Sequence, residues 1–434
     1  MDRLLLGSRP TNLGDTMFKL FLALLVTTIF ALSNELTSID KNISLRYTLY
    51  LFDSIYNSTK APSGVDTNIT AVKEWRKSLA IPSERTLKYF GIGLNKDDLT
   101  KLKSVTQAYA ISLKFEQTPT LKHHKDIDSF LYKITKANSG YLYDEETREM
   151  FKPSSWRERR IDKGWINGQI AIDKHITIHY YQIHPNIYRL ITLGMAKFGL
   201  PDIAIEDVFP RKANGLAHII KTSAYKLIDN TDINSKITIN LDKLSQKYIY
   251  AKELISYRYK NHKKEITLYF KQAKHDEGDP NNRIIELILK PKSNEQRYAT
   301  QARYIEEFFG LKDKVIDTSK YNDELTKASK KDLAILPKIK QIFNSKLKPN
   351  EYILLKAPFK YSEGTEWMWV LVTSWKGDKI EGILNNKPYF IKNLRSGDRV
   401  TIHQKDIFDF LYHKANGQEV GDETTKVILK YNKQ

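Results

Sequence analysis

Between Glu351 and Gly421, short apolar runs alternate with Gly- and Asn-rich turns, a spacing that a small antiparallel sheet satisfies and a helical bundle does not. Tyr352 to Pro358, Trp367 to Trp375 and Lys379 to Leu384 read as strands, and Lys376-Gly-Asp378 makes a tight turn between the last two. Asn385-Asn-Lys-Pro388 is a second turn and Gly397-Asp398 a third, before Arg399 to Ile402. The block therefore predicts a bent antiparallel sheet or partial barrel of roughly five strands. Ahead of it, Ala328 to Asn344 is helical in pattern, but Pro337 falls inside it, so a kink or two short helices is expected.

Upstream the elements are mixed. Ile43 to Tyr56 has a helix-like apolar pattern, and Glu74 to Leu102 reads as helix interrupted at Pro82 and near Gly91 and Gly93. Gln107 to Phe115 reads as a strand, Asp126 to Lys136 as an amphipathic helix and Tyr141 to Tyr143 as a short strand. Alternating isoleucines make Gln169 to Gln182 a strand, whereas Tyr188 to Phe198 and Gly215 to Leu227 read as helical or mixed. Glu265 to Lys274 and Asn282 to Lys290 form an expected hairpin, and Tyr298 to Phe309 a helix stopped at Gly310. Strands and helices without the regular crossovers of a doubly wound sheet indicate α+β: a mixed N-terminal region followed by a small β-rich C-terminal domain.

Residues 20–32 are apolar and uncharged, preceded by Lys19 and followed by Ser33-Asn-Glu35. That length suits a signal h-region of ~7–15 residues better than a spanning helix of ~20. Ala31 and Ser33 supply the small residues of a cleavage site, so residues 1–33 are expected as a signal peptide cut after Ser33, with Met17 as an alternative start. An uncleaved N-terminal anchor is the alternative. The chain has no Cys, which agrees with export and removes thiol chemistry. Export implies a periplasmic or secreted protein.

A formal charge of +19 draws acidic partners non-specifically, yet the lysines are scattered with no run of five or more basic residues. The densest Arg cluster, Arg157-Glu-Arg159-Arg160, has the chemistry to hold phosphate or carboxylate, with a solvated turn as the plainer reading. Dispersed charge and export disfavour nucleic acid as a partner.

Lys356-Ala-Pro-Phe359, Glu366-Trp-Met-Trp369, Gly382, Asn385-Asn386-Lys-Pro388, Gly397-Asp398-Arg-Val400 and Asp406-Ile-Phe-Asp409 follow one another in an order that resembles the YegJ-like bacterial domain of unknown function, the twenty-three-fourteen family. The resemblance covers about 327–427. Thr192-Leu-Gly-Met195, Lys197-Phe-Gly-Leu-Pro201 and Glu277-Gly-Asp-Pro-Asn-Asn282 resemble the region preceding this domain in longer bacterial relatives. The resemblance implies a compact β-rich domain and supplies no substrate, cofactor or catalytic residue. The expected organisation is a signal peptide at 1–33, a helical region at 34–104, an α+β domain at 105–318 and the YegJ-like domain at 327–430.

Glu366, Asp406 and Asp409 are the candidate catalytic carboxylates, since two that converge would make an acid/base pair for hydrolysis. Asp406 also suits an N-cap before a helix-like run, and Asp398 a Gly-Asp turn. His175, His179 and His184 are metal ligands by residue type. Strand residues four apart share a face but lie ~13 Å apart at ~3.3 Å per residue, too far for one zinc. In His275-Asp-Glu-Gly-Asp-Pro-Asn-Asn282, Asp276 and Asp279 offer oxygens to Ca²⁺, but the spacing is not that of an EF-hand and the composition is that of a turn. No metal and no cofactor is assigned, and there is no phosphate loop, dinucleotide fingerprint or nucleophile elbow.

Trp367, Trp369 and Trp375 fall at even spacings, so without a bulge they share one face, either the core or a stacking platform. Met368, Val370 and Val372 compete for the buried side. The reading reached is a non-enzymatic exported binding protein of the cell envelope, with an envelope hydrolase as alternative. Its expected partner is a protein or an anionic envelope polymer, and membrane contact is expected only through the N-terminal segment.

Overall fold

The computed structural model describes residues 39–52, 56–118, 120–184, 187–229, 235–248, 251, 262–293, 295–310, 322–348, 351–362 and 364–431. The apolar run 20–32, the cleavage point at Ser33 and residues 319–321, between the last two expected domains, lie outside them. Among the described residues, no helix is long and apolar enough to cross a membrane.

Among the described residues, three six-stranded sheets, none closed, and the helices packed on them make the protein α+β. The first sheet contains β1 (Asn42–Leu51), β2 (Asp66–Ala71), β3 (Gly91–Ile92), β4 (Gln107–Glu116), β5 (Tyr141–Asp144) and β6 (Glu149–Phe151) in the order β2-β4-β1-β5-β6-β3. Helix α1 (Lys122–Ala137) lays Ile127, Phe130, Leu131 and Ile134 on it, against Leu45, Leu49, Ile111 and Leu113. The helix expected at Ile43 to Tyr56 is the central strand β1. It alternates over Ile43, Leu45 and Tyr47, but Leu49, Tyr50 and Leu51 are all buried because a second core, with Trp75, Leu87 and Leu102, covers the other face. Burial on both faces erases the period of two that identifies a strand.

The segment Gln169 to Gln182 is not one strand. The two-residue strands β7 (Trp165–Ile166) and β8 (Gln169–Ile170) pair with each other, a helical turn spans Ile172–His175, and only then does β9 (Thr177–His184) begin. Ile170, Ile172 and Ile176 are buried all the same, so the alternation reported burial and not extension. Tyr188 to Phe198 is β10 (Ile187–Leu193) followed by a 3-10 turn, Met195–Phe198. Its apolar run is buried on both faces, a pattern that a strand and a buried helix share. With β11 (Asp202–Val208), β12 (Lys236–Asn240), β13 (Glu265–Gln272) and β14 (Ile284–Ile288), these strands form the second sheet, β12-β13-β14-β11-β10-β9. Helices α2 (Pro210–Ile228) and α3 (Arg297–Phe309) contribute Leu216, Ile220 and Phe308 to its core. The expected hairpin β13–β14 is present, and Gly310 closes α3 in the left-handed conformation.

The third sheet is antiparallel throughout. It orders β15 (Tyr352–Tyr361), β16 (Gly364–Lys376), β17 (Lys379–Leu384), β18 (Arg399–His403), β19 (Asp409–His413) and β20 (Glu419–Gly421) as β18-β17-β16-β15-β19-β20. Pro337 separates α4 (Asn322–Leu333) from α5 (Leu336–Asn344), where it occupies the first turn and needs no hydrogen-bond donor. Leu336 and Ile339 pack with Ile353, Leu355, Met368, Val370 and Phe410. On the opposite face, Leu354, Leu371 and Leu411 meet Tyr298 of α3, which joins this sheet to the second. A last helix, α6 (Glu423–Tyr431), packs on α4.

Candidate functional site

Strand alternation sorts the β15–β16 hairpin into two faces. Leu354, Lys356, Pro358 and Lys360 stand across from Leu371, Trp369, Trp367 and Thr365; on the other face Leu355, Ala357, Phe359 and Tyr361 stand across from Val370, Met368, Glu366 and Gly364. The competing aliphatic face won the core: Met368, Val370 and Val372 are buried. A register shift between Val372 and Ser374 then moves Trp375 to that same core, so the three tryptophans do not share a face. Trp367 is left 42% exposed.

Glu366 lies at the outer end of this hairpin and accepts the backbone N–H of Tyr389 at 2.9 and 3.2 Å and that of Phe390 at 3.1 Å. The loop it grips is also held at its start, where the Asn386 Oδ1 accepts the Trp369 N–H at 2.6 Å, the Asn385 N–H donates to the Trp369 carbonyl at 2.8 Å and the Tyr298 hydroxyl donates to Asn385. Phe390 stacks on Tyr361 with centroids 5.0 Å apart, Tyr389 meets Phe390 edge-on at 4.9 Å, and Trp367 lies 4.6 Å from Phe408. Tyr389 is 71% and Phe390 46% exposed, and Lys360, Lys387, Lys392 and Arg395 are exposed around them. The result is an aromatic end fixed in place, apolar on both faces and edged with cations. Asn385-Asn386 was legible as a turn, but nothing in a local pattern distinguishes a Tyr-Phe pair that stays outside from one that enters a core.

Asp409 is fully buried on β19 and shares its face with Lys356, its register partner. Positions 356 and 359 of β15 differ by an odd number, so Asp409 and Glu366 leave opposite faces and do not converge. Asp406 is half-buried in a 3-10 turn, Gln404–Asp406; the run after it is β19 and not a helix, so no N-cap role exists. The Asp398 Oδ2 accepts the Arg395 N–H at 2.7 Å, as a turn carboxylate does.

The carboxylate that does meet Asp409 is Asp332 of α4, which no local signal marked. The Asp332 Oδ2 accepts the Glu423 N–H at 2.9 Å, and the Asp409 Oδ2 accepts the Thr424 N–H at 3.0 Å together with the Thr424 hydroxyl. Two carboxylates thus cap the N-terminus of α6, where the helix dipole favours negative charge. Burial, with Asp409 beside it, pushes the Asp332 carboxyl up to about 8. The Lys356 ammonium donates to the Thr424 Oγ1 at 3.3 Å and stands 5.5 Å from the Trp369 ring; burial holds its pKa down.

The metal candidates are dispersed. The His175 Nδ1 lies 3.8 Å from the Asp128 carboxylate, against Trp165, while the His179 ring stacks on Phe90 at 4.3 Å; burial lowers both pKa values, that of His179 to about 4. His184 ends β9 at the sheet edge. Asp276 and Asp279 face the buried guanidinium of Arg189, at 2.5 and 2.9 Å, and Arg148 donates to the carbonyls of Gly278 and Asp279. The loop ties the second sheet to the first. Among the described residues, no group of three metal-ligating side chains occurs.

Arg160 is not on a solvated turn. It lies fully buried in a π-helix, Arg157–Asp162, where its Nη2 donates to Asp144 at 2.9 Å, Glu149 at 2.7 Å and the Thr147 hydroxyl at 3.1 Å. Lys197 reaches Asp144 from the second sheet at 2.5 Å. Nearby, Asp202 accepts from Thr192 at 2.7 Å, from the Met195 N–H at 3.2 Å and from Asn282 at 2.8 Å, so two of the three stretches of the upstream resemblance converge on one buried carboxylate. Burial raises its pKa to about 7.

The family described as "Uncharacterized protein conserved in bacteria (DUF2314)" matches residues 324–431, the segment holding the third sheet, the aromatic end and the Asp332–Asp409 pair. No curated protein matches the chain, and no solved structure does.

Proposed function

We propose that the chain is a non-enzymatic binding protein whose C-terminal sheet offers its aromatic, cation-edged end to an anionic partner. One observation carries the reading: Glu366 spends both carboxylate oxygens on the backbone of Tyr389 and Phe390, so these rings are held outside and not merely left there. Rigid exposed aromatics with basic neighbours are the composition of interaction hot spots, where large contact area is presented at low entropic cost. The hydrolase alternative has less behind it. Glu366 is engaged with backbone and faces away from Asp409, while Asp409 and Asp332 are closed in by the start of α6. Export, to the periplasm or beyond, is part of the proposal on the strength of the apolar run 20–32 and the small residues after it.

The test is equilibrium binding to a panel of anionic probes, dextran sulfate and phosphatidylglycerol vesicles among them. Saturable binding that falls at least tenfold in Tyr389→Ser/Phe390→Ser, with an unchanged circular dichroism spectrum, is expected. A double variant that binds every probe like the parent would defeat the reading. For export, N-terminal sequencing of the processed chain should begin at Asn34.

A further inference from the structure

The aromatic end has a shape that selects among anionic partners. A flat polymer such as a glycan chain is best met by rings lying side by side on one face of a sheet. Here the rings point in different directions. Trp367 and Phe408 lie on the face of Lys356 and Lys360, whereas Tyr389 and Phe390 are gripped by Glu366 and Tyr361 on the other. Tyr389 stands at 76° to Phe390, so even that pair forms no plane. Together these rings form a wedge with an aromatic on each side.

Its chemistry changes with position. Trp367, Tyr389 and Phe390 occupy the tip, and Tyr and Trp partition to the boundary between hydrocarbon and headgroups because each has an apolar body with one polar atom. Lys360, Lys387, Lys392 and Arg395 are exposed beside them, and residues 385–395 contain no Asp or Glu. Each basic residue near an anionic leaflet contributes ~1 kcal/mol of attraction, which falls off within a Debye length. The Glu366 carboxylate is turned inward onto the loop backbone. The overall charge of +19 reinforces attraction of the same sign.

We infer that this end is a lipid-contacting wedge: it docks on an anionic lipid surface with Trp367, Tyr389 and Phe390 at the headgroup boundary and Lys360, Lys387 and Lys392 on the headgroups. This rests on the binding reading above and narrows its partner to a lipid, and it extends membrane contact beyond the N-terminal segment to which the sequence confined it. Residues 1–38 contain no Trp, so tryptophan emission from the full chain reports on the residues after them alone.

The full-length chain is mixed with vesicles containing brominated phosphatidylglycerol, and separately with brominated phosphatidylcholine. Tryptophan quenching by the anionic vesicles is expected, lost in Trp367→Phe, which keeps an apolar ring, and shifted to about tenfold higher lipid in Lys387→Glu/Lys392→Glu. Quenching that persists in Trp367→Phe, or that is equal with the neutral lipid, overturns the wedge. Binding to dextran sulfate that depends on Tyr389 and Phe390, with no quenching by vesicles, overturns the lipid assignment and leaves the binding reading standing. Absence of both overturns the two together, and self-association abolished by Trp367→Ser would reassign the end to a second copy of the chain.

Discussion

Two regions of this protein invert the usual placement of residue types. At the junction of the first two sheets, Arg160, Lys197, Asp144 and Glu149 are sealed inside. At the far end of the third sheet, Trp367, Tyr389 and Phe390 are held outside. Both arrangements are maintained by hydrogen bonds to carboxylates, but with opposite consequences. The buried charges neutralise one another and leave nothing for a ligand, so the cluster fixes how the sheets meet. The Glu366 carboxylate instead anchors a loop backbone and leaves the side chains available. Unusual residues alone therefore do not mark a site; what matters is whether their partners are already within the chain.

The largest expected effect comes from breaking the sealed region. Arg160→Ala leaves Asp144 and Glu149 buried with less compensation, which should cost ~3–5 kcal/mol. Thermal or urea unfolding should show the loss, and an unchanged midpoint would mean that the cluster is hydrated and not sealed. Next is the pH dependence of the Asp332–Asp409 cap. The folded-state pKa of Asp332 is raised, so its contribution is fully present below the ordinary carboxylate range and is lost as pH rises through about 8. Hydrogen exchange at the start of α6 should quicken between about pH 4 and pH 8 beyond the intrinsic rate, and Asp332→Asn should flatten that dependence. If the parent shows no excess, burial beside Asp409 does not raise the Asp332 carboxyl as described.

Glu366→Ala sharpens the comparison from the exposed side. Releasing two backbone N–H groups at a solvent-accessible loop should cost only ~1 kcal/mol, yet binding should weaken as strongly as on removing the rings. A loss of several times that stability with binding intact would reverse the role given to this carboxylate. The smallest stability change belongs to Tyr389→Ser/Phe390→Ser, expected within ~0.5 kcal/mol of the parent by calorimetry because exposed rings contribute little to the core. A larger drop would mean that they pack against the sheet more than their exposure implies.

Much of the third sheet was legible because its turns carry Gly, Asn and Asp where tight turns require them, and these requirements are local. The Pro337 break and the Gly310 stop were legible for the same reason. Strands β1 and β10 were not, because burial on both faces removed their alternation. Of the site, Asp409 and Glu366 were picked out, but their partners came from other segments: Asp332 from a helix 77 positions earlier, and the backbone of Tyr389, to which Glu366 bonds 23 positions away. The Arg160 cluster showed only as a basic stretch, since nothing near it in the chain announced Asp144 or Lys197.

By itself the amino-acid sequence determined the α+β class, the turn-rich antiparallel C-terminal sheet and the basic balance, all of which follow from local backbone preference and composition. The tertiary structure decided which face of β16 is buried, that Trp375 joins it through one bulge at Thr373, and which carboxylates meet. It also decided that Glu366 holds a loop. Those outcomes depend on register and on packing between segments far apart in the chain, where a one-residue shift exchanges the buried face for the exposed one.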